Sequence, residues 1–233
     1  MKSLHLKPGR EKPLLRRHPW IFSGSIAHLK GDPVSGETVE VYDSGGNFLA
    51  RAAYSPKSQI RGRVWTWDRG QQVDRDFIHA LIKKAIAYRE TIQKLNAVNN
   101  NAPHLAESKS IDQKSKALRL IHAESDGLPG LIVDAYNDIL ISQALSAGVE
   151  HWLDDIVEIL VEVSQAKCIC ERSDVDVRKL EGLPSRIRIL KGAEPPKRLI
   201  IDESGLRFYV DWQFGHKTGF YIDQRTNRRI IRK

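Results

Sequence analysis

The sequence predicts an α+β protein of more than one domain, a small barrel-like β domain followed by a mixed α+β domain. Three observations predict it. Short alternating segments punctuated by Gly, Pro, Asn and Asp fill residues 1–75; one stretch with apolar residues at helical spacing follows; from residue 118 onward strand-like and helix-like segments alternate. A chain of 233 residues is long enough for one large or two modest domains, each with a core that needs no covalent staples.

The elements can be justified in order. Leu4-His5-Leu6 alternates at the period of a strand, and Thr38–Tyr42 does the same before the turn Asp43-Ser44-Gly45-Gly46-Asn47. Phe48–Tyr54 and residues 60–67 complete a set of about four short strands, the pattern of a small barrel or sandwich. Residues 76 to about 98 carry apolar positions at helical spacing (Phe77, Ile78, Leu81, Ile82, Ala85) and read as an amphipathic linker helix. Residues 99–116 are polar and aperiodic, the composition of a mobile loop. Beyond them, residues 118–122 form a strand, 130–133 and 139–141 a hairpin around Tyr136-Asn137-Asp138, and 149–163 an amphipathic helix. Residues 167–171 and a pair spanning 199–210 around Glu203-Ser204-Gly205 complete a mixed sheet. The expected division is 1–75, 76–117, 118–214 and 215–233.

Composition narrows the chemistry. The net charge of +8 is uneven: residues 1–75 hold 13 Lys/Arg against 7 Asp/Glu and residues 217–233 hold 6 against 1, while 76–216 hold 18 against 21. Basic ends facing a polyanion, with a middle that does not, is the simplest reading. Cys168 and Cys170 lie too close for an ordinary disulfide and lack C-x-x-C spacing; on a strand both point to one face as small buried hydrophobes. The eight His form no H-x-H or H-E-x-x-H pair, and neither a Walker loop nor a G-x-S-x-G elbow occurs. No apolar run approaches the ~20 residues of a membrane span and the N-terminus has no apolar signal core, so a cytoplasmic protein without membrane contact is expected.

Between the first two predicted strands lies the densest cationic segment, with Lys7, Arg10, Lys12, Arg16 and Arg17. Such groups contact phosphates, and Trp20 and Phe22 could stack on a base. An aromatic following Pro in a small barrel more often fills the core, so the cations are the expected contacts and Trp20 and Phe22 the expected core. Leu14 and Leu15 would pack a short helix onto the barrel.

The runs Lys7-Pro8-Gly9-Arg10-Glu11-Lys12, Arg16-Arg17-His18-Pro19-Trp20-Ile21-Phe22-Ser23-Gly24, Ala50-Arg51-Ala52-Ala53-Tyr54-Ser55-Pro56 and Ser58-Gln59-Ile60-Arg61 resemble the PUA domain that opens the ribosomal RNA large subunit methyltransferase I family. The resemblance continues through Glu124-Ser125-Asp126-Gly127-Leu128-Pro129-Gly130-Leu131-Ile132-Val133-Asp134, Glu171-Arg172-Ser173-Asp174-Val175 and residues 217–225, essentially the whole chain. It implies a PUA module for RNA, an α+β middle domain and a Rossmann-like domain that uses S-adenosylmethionine to make 5-methylcytosine in 23S rRNA. Arg51 and Arg61 then join the five cations as expected RNA contacts, 23S rRNA is the expected partner, and a homodimer is also contemplated.

Two turns inside these runs invite a functional reading. Asp126 beside Gly127 could orient a base or ribose, but Asp there more often bonds its own backbone. Arg172 between Glu171 and Asp174 is expected in a structural ion pair.

In the last segment Asp223 could cap a helix whose first turns carry Arg225, Arg228 and Arg229, an arrangement that opposes the helix dipole unless an anion sits there. The resemblance implies that Tyr221, Gln224 and Arg225 approach S-adenosylmethionine, the Arg pairing with its carboxylate. The Gly-rich cofactor turn and the nucleophilic Cys of such an enzyme are not found in the sequence, and neither Cys168 nor Cys170 matches that Cys. The expectation is therefore a truncated RNA-recognition portion of the enzyme, inactive alone; the alternative is a stand-alone, non-catalytic RNA-binding PUA protein.

Overall fold

In the computed structural model, residues 2–99 (side chains to 95), 117–203 and 205–231 are described. The loop expected at 99–116 lies, but for its first residue, outside them. Strands β1 (Ser3–Leu6), β2 (Trp20–Phe22), β3 (Ile26–Lys30), β4 (Thr38–Tyr42), β5 (Phe48–Tyr54) and β6 (Ile60–Thr66) form one curled sheet in the order β2-β6-β5-β4-β1-β3. Its inward positions, among them Leu4, Leu6, Ile21, Val39, Val41, Ala52 and Val64, bury their side chains together with Leu14 of the short helix α1 (Lys12–Leu15). Each fully buried Leu, Ile or Val contributes about 1.5–3 kcal/mol.

Two strands, β2 and β3, occupy stretches for which no strand was expected; among the described strands β3 pairs only with β1, and it is largely exposed, so its sequence lacks an apolar face to announce it. Trp20 is half-buried and Phe22 is exposed, because Ile21, between them, takes the inward position of β2. Leu15 is exposed, leaving Leu14 alone to anchor α1.

Helix α2 (Arg75–Asn99) starts where the Asp74 carboxylate accepts the Phe77 amide at 2.9 Å, an N-cap. Ile78, Ile82 and Ala85, at helical spacing, sink into the core of the following unit. The helix is thus part of that core rather than a spacer. The second sheet comprises β7 (Ala117–His122), β8 (Leu131–Tyr136), β9 (Ile139–Ala144), β10 (Cys168–Ser173) and β11 (Arg186–Lys191), ordered β11-β10-β9-β8-β7. Among the described strand pairs only β1–β4 and β9–β10 are parallel. Helices α3 (Ala147–His151) and α4 (Leu153–Ser164) make the β9–β10 crossover, and the single helix expected at 149–163 is broken at Trp152. Helix α5 (Val177–Glu181) precedes β11, and neither was expected.

Period-two alternation separates the faces of this sheet. Val133, Leu140 and Ile169 face α2 and α4. Tyr136, Ile141, Cys168 and Cys170 face the hairpin β12 (Arg198–Glu203) and β13 (Leu206–Asp211), with Leu199, Ile201, Val210 and Trp212. The hairpin is a separate two-stranded sheet, not part of a mixed one. Both cysteines are buried on one face, free of a disulfide, with their sulfurs 3.6 Å apart in a thiol–thiol hydrogen bond. A 3-10 turn (Ile222–Gln224) leads into α6 (Arg225–Ile231).

The barrel is joined to the second unit by close packing and by buried charge. A Cβ on Gly148 would lie 2.5 Å from that of Ala53 and 2.9 Å from the Trp65 ring, so glycine lets α3 close on the barrel. Arg63, buried, pairs with Glu181 at 2.9 Å, and Glu181 also accepts the Ser55 hydroxyl at 2.8 Å.

Candidate nucleic-acid interface

After β1 the chain turns at Gly9 (φ 78°) and enters α1 with Pro13 in its first turn, where a missing N–H costs nothing. Arg17 stops the helix with φ 63°, and the His18 amide donates back to the Pro13 carbonyl at 2.9 Å. This hooks the chain so that His18, Trp20 and Phe22 emerge beside α1. The His18 and Trp20 rings meet edge-on at 5.7 Å, and Trp20 and Phe22 at 6.4 Å. The Trp20 amide donates to His18 Nδ1 at 3.2 Å, which leaves Nε2 to carry the proton of the neutral ring.

Between helix and strand lies a pocket of about 170 Å³ lined by Arg10, Pro13, Leu14, His18, Trp20, Ile21, Phe22 and Ser25. Its floor is apolar, its walls include three aromatic rings, and Arg10 stands at the rim. A wider depression adjoins it, lined by Lys12, Pro13, Arg16, Arg17, His18 and Pro19. Arg10, Lys12, Arg16 and Arg17 are exposed, and among the described residues none of them is held in an ion pair. Arg17 lies over the Trp67 ring at 5.3 Å, and the Trp67 indole donates to the Leu14 carbonyl at 3.2 Å, fixing the helix end. Lys7 is exposed and donates to the Gly24 carbonyl at 3.0 Å. A planar group can enter the pocket while phosphates meet the cations around it.

Trp20 is itself positioned from the second unit. Its indole N–H donates to Glu124 at 2.8 Å and the Arg63 guanidinium lies 5.6 Å from its ring centre. Arg63 and Glu181 went unnoticed in the sequence; alternation along β6 placed Arg63 on the barrel wall, but no local pattern pairs it with a carboxylate 118 positions away.

Two other expected RNA contacts are placed differently. Arg51 is buried, bonded to Glu40 at 3.3 Å and to the carbonyls of Arg69 and Gln71, so its charge faces the protein. Arg61 is half-buried and donates to the Pro56 carbonyl, bracing the β5–β6 turn.

The last segment is clamped rather than open. Asp134, fully buried, accepts two bonds from Arg119 (2.8 and 2.9 Å) and one from the Thr218 hydroxyl (2.5 Å), which also meets the Tyr136 hydroxyl at 2.9 Å. Burial first, and then the neighbouring Asp134 charge, push the Tyr136 phenol well above its usual range. Arg172 pairs with Asp174 at 2.9 Å, as expected, and also donates to the carbonyls of Trp212 and Gly215. Asp126 lies in the turn before Gly127 (φ 75°), accepting both Arg89 nitrogens at 2.6 Å and the His122 amide.

The anion expected beside α6 is the protein's own Glu203. Arg225 reaches it at 3.1 Å, Arg228 at 2.7 and 2.8 Å, and Arg225 also donates to the Ala117 carbonyl at 2.6 Å. Burial would raise the Glu203 pKa, but the hydrogen bonds and charges of Arg228 and Arg225 outweigh it and hold the carboxyl below its usual range. Gln224 accepts Asn227 at 2.6 Å, and Tyr221 is exposed beside Lys217 and His216. Of the three residues expected near S-adenosylmethionine, Arg225 is thus bonded to Glu203 and the Ala117 carbonyl, while Tyr221 and Gln224 are exposed.

The barrel with its hooked basic segment defines a class, and the PUA-like domain family matches residues 4–67. Along nearly its whole length the chain is related in sequence to ribosomal RNA large subunit methyltransferase I, the family indicated by its motifs. The relative from Aliivibrio fischeri is 46% identical over 226 residues (97% of this chain, 53% of the relative), and that from Photobacterium profundum 47% over 233 (99% and 54%). The chain thus spans about half the length of the curated relatives it matches. Among solved structures, "a putative SAM-dependent methyltransferase from Streptococcus mutans" shares the fold with a TM-score of 0.74 at 21% identity (99% of this chain, 54% of that one). A second solved structure, "a putative methyltransferase complexed with SAH", gives 0.75 at 21% (98% and 52%). These overlaps concern the shared half, and they do not support the expectation that the Rossmann-like domain is absent. Among the described residues, no helix is long and apolar enough to cross a membrane.

Proposed function

We propose that this chain is the RNA-recognising portion of a SAM-dependent 23S rRNA (cytosine-C5) methyltransferase. The observation that carries the reading is the pocket walled by His18, Trp20 and Phe22 with Arg10, Lys12, Arg16 and Arg17 exposed around it. The cations hold phosphates and set the register, while the pocket admits one unpaired base, giving the barrel a preference for structured RNA with a splayed nucleotide. The relatives' name supports ribosomal RNA as that ligand.

Methyl transfer is not assigned to the cysteines of this chain. Attack on cytosine C6 needs an accessible thiolate. Burial pushes the Cys168 thiol up, and burial together with Cys168 pushes Cys170 up further. The second unit instead presents the barrel to its target, through Glu124 and Glu181. The test is fluorescence anisotropy with a 23S rRNA hairpin between about 50 and 200 mM salt. Binding should weaken steeply with salt, by about tenfold or more over that range. Salt-independent or undetectable binding would overturn the reading.

A further inference from the structure

We propose a second RNA contact, one that rests on RNA being the barrel's ligand: the outer ring face of His28, at the free end of an aromatic column, takes an unpaired nucleobase. The column follows from strand register. His5 on β1 lies opposite His28 on β3 and opposite Tyr42 on β4, and Tyr42 lies opposite Phe48 on β5. Leu4 and Leu6 point into the core, so His5 points out, and the three outward rings stand in one row across the sheet. His5 and His28 stack at 4.4 Å and 9°, and His5 and Tyr42 at 5.4 Å and 15°. Phe48 meets Tyr42 edge-on at 6.0 Å and closes the inner end.

The other end is open. β3 is an edge strand that among the described strands pairs only with β1, and among the described residues the exposed His28 ring stacks on His5 alone. The rings behind it are held: the Ser3 hydroxyl meets His5 Nε2 at 3.0 Å, and the Tyr42 hydroxyl donates to Glu40 at 2.6 Å. A pre-stacked column loses little rotamer freedom when a further flat ring is added to it.

The surrounding charge selects a polyanion. Lys30 follows His28 by two positions on the same side of β3 and is close enough to act, with burial and His28, in lowering the His5 pKa. At the inner end the Arg69 guanidinium lies over Phe48 at 5.7 Å. Of the carboxylates nearby, Glu40 is engaged with Arg51 and Tyr42, Glu37 with Lys2, and Asp43 with Gly45 and Asn47, while Asp32 is exposed beyond the end of β3. In the order of strands β3 and β2 are the two edges of the sheet, and the three-residue turn Ser23–Ser25 joins them, so His28 on one and Trp20 and Phe22 on the other are distinct groups that the same strand of RNA can reach.

The test uses the full chain with histidine and tryptophan rings followed by NMR while a short single-stranded oligoadenylate is added, with affinity read by anisotropy. The His28 ring signal should move upfield with the titration. His28→Ala should weaken binding by about fivefold, whereas His28→Phe, which keeps a π face, should stay within about twofold. If oligoadenylate binds and shifts the Trp20 indole but leaves His28 unmoved, the second contact is wrong and the α1–β2 site stands. Absence of binding would overturn both. A His28 signal that moves with protein concentration instead of RNA would make this edge a contact between copies and overturn the proposal.

Discussion

The α1–β2 segment and the start of α6 are the two basic regions of the chain, and structure separates them where charge alone does not. Around α1, Arg10, Lys12, Arg16 and Arg17 are exposed and no carboxylate of the described residues pairs with them. At α6, Arg225 and Arg228 converge on the buried Glu203, supplied by the end of β12 22 and 25 positions earlier. One region keeps its positive field for solvent and whatever comes from it; the other uses its charge to fix a helix to the hairpin. A basic cluster reports a polyanion site only after its internal carboxylates have been counted in three dimensions.

The largest expected effect breaks the second region. Glu203→Ala leaves two partly buried guanidinium groups facing each other without a counter-charge, and should lower unfolding stability by about 3 kcal/mol in urea denaturation, with RNA affinity of the folded protein unchanged. A loss under 1 kcal/mol would show that α6 is held by something else. The same carboxylate has a pH signature. Its folded pKa lies below its ordinary value of 4.5, so its contribution is complete above that value and is lost as pH falls through the folded pKa. Glu203→Gln should therefore flatten the acid limb of the stability curve below about pH 4.5.

The first region should respond in the opposite sense. Arg16→Ala with Arg17→Ala should weaken binding to a 23S rRNA hairpin by about tenfold to thirtyfold near physiological salt and make the salt dependence shallower by one to two phosphate contacts. Stability should change by less than about 1 kcal/mol, because these are exposed side chains. Unchanged affinity would remove α1 from the interface and leave the two basic regions functionally alike.

The cationic segment was easier to read in the sequence than the architecture around it. Five cations in one segment needed only local reading, and the alternation of β1, β4, β5 and β6 follows directly from inward apolar positions. β3 was illegible because an exposed edge strand has no apolar stripe, and α5 because it is five residues long. Trp20 and Phe22 were misplaced because the rule that an aromatic fills a small barrel was applied to two residues flanking Ile21, when alternation allows only one parity to point inward. Arg51 shows the reverse error. It lies on a core strand, and the family resemblance implied an RNA contact where Glu40 on the neighbouring strand, directly across the β4–β5 pairing, bonds it. The Glu203 latch was hidden because Glu203 ends β12 while its partners Arg225 and Arg228 lie on α6, and no pattern within one element encodes the pairing.

The smallest effect is the sharpest probe of how the two units cooperate at the RNA site. Trp20→Ala removes a wall of the pocket and should cost about tenfold in affinity if a base stacks there. Trp20→Phe keeps a ring but deletes the indole N–H that donates to Glu124. Glu124 would still have Arg63 at 3.4 Å, so the stability loss should be about 1 kcal/mol, the net worth of one hydrogen bond. Affinity of Trp20→Phe within about twofold of the parent would mean that the ring face is what RNA uses and that Glu124 merely aims it. A loss as large as that of Trp20→Ala would mean that the orientation imposed from the second unit is required for binding, and that the barrel reads RNA only as docked on its neighbour.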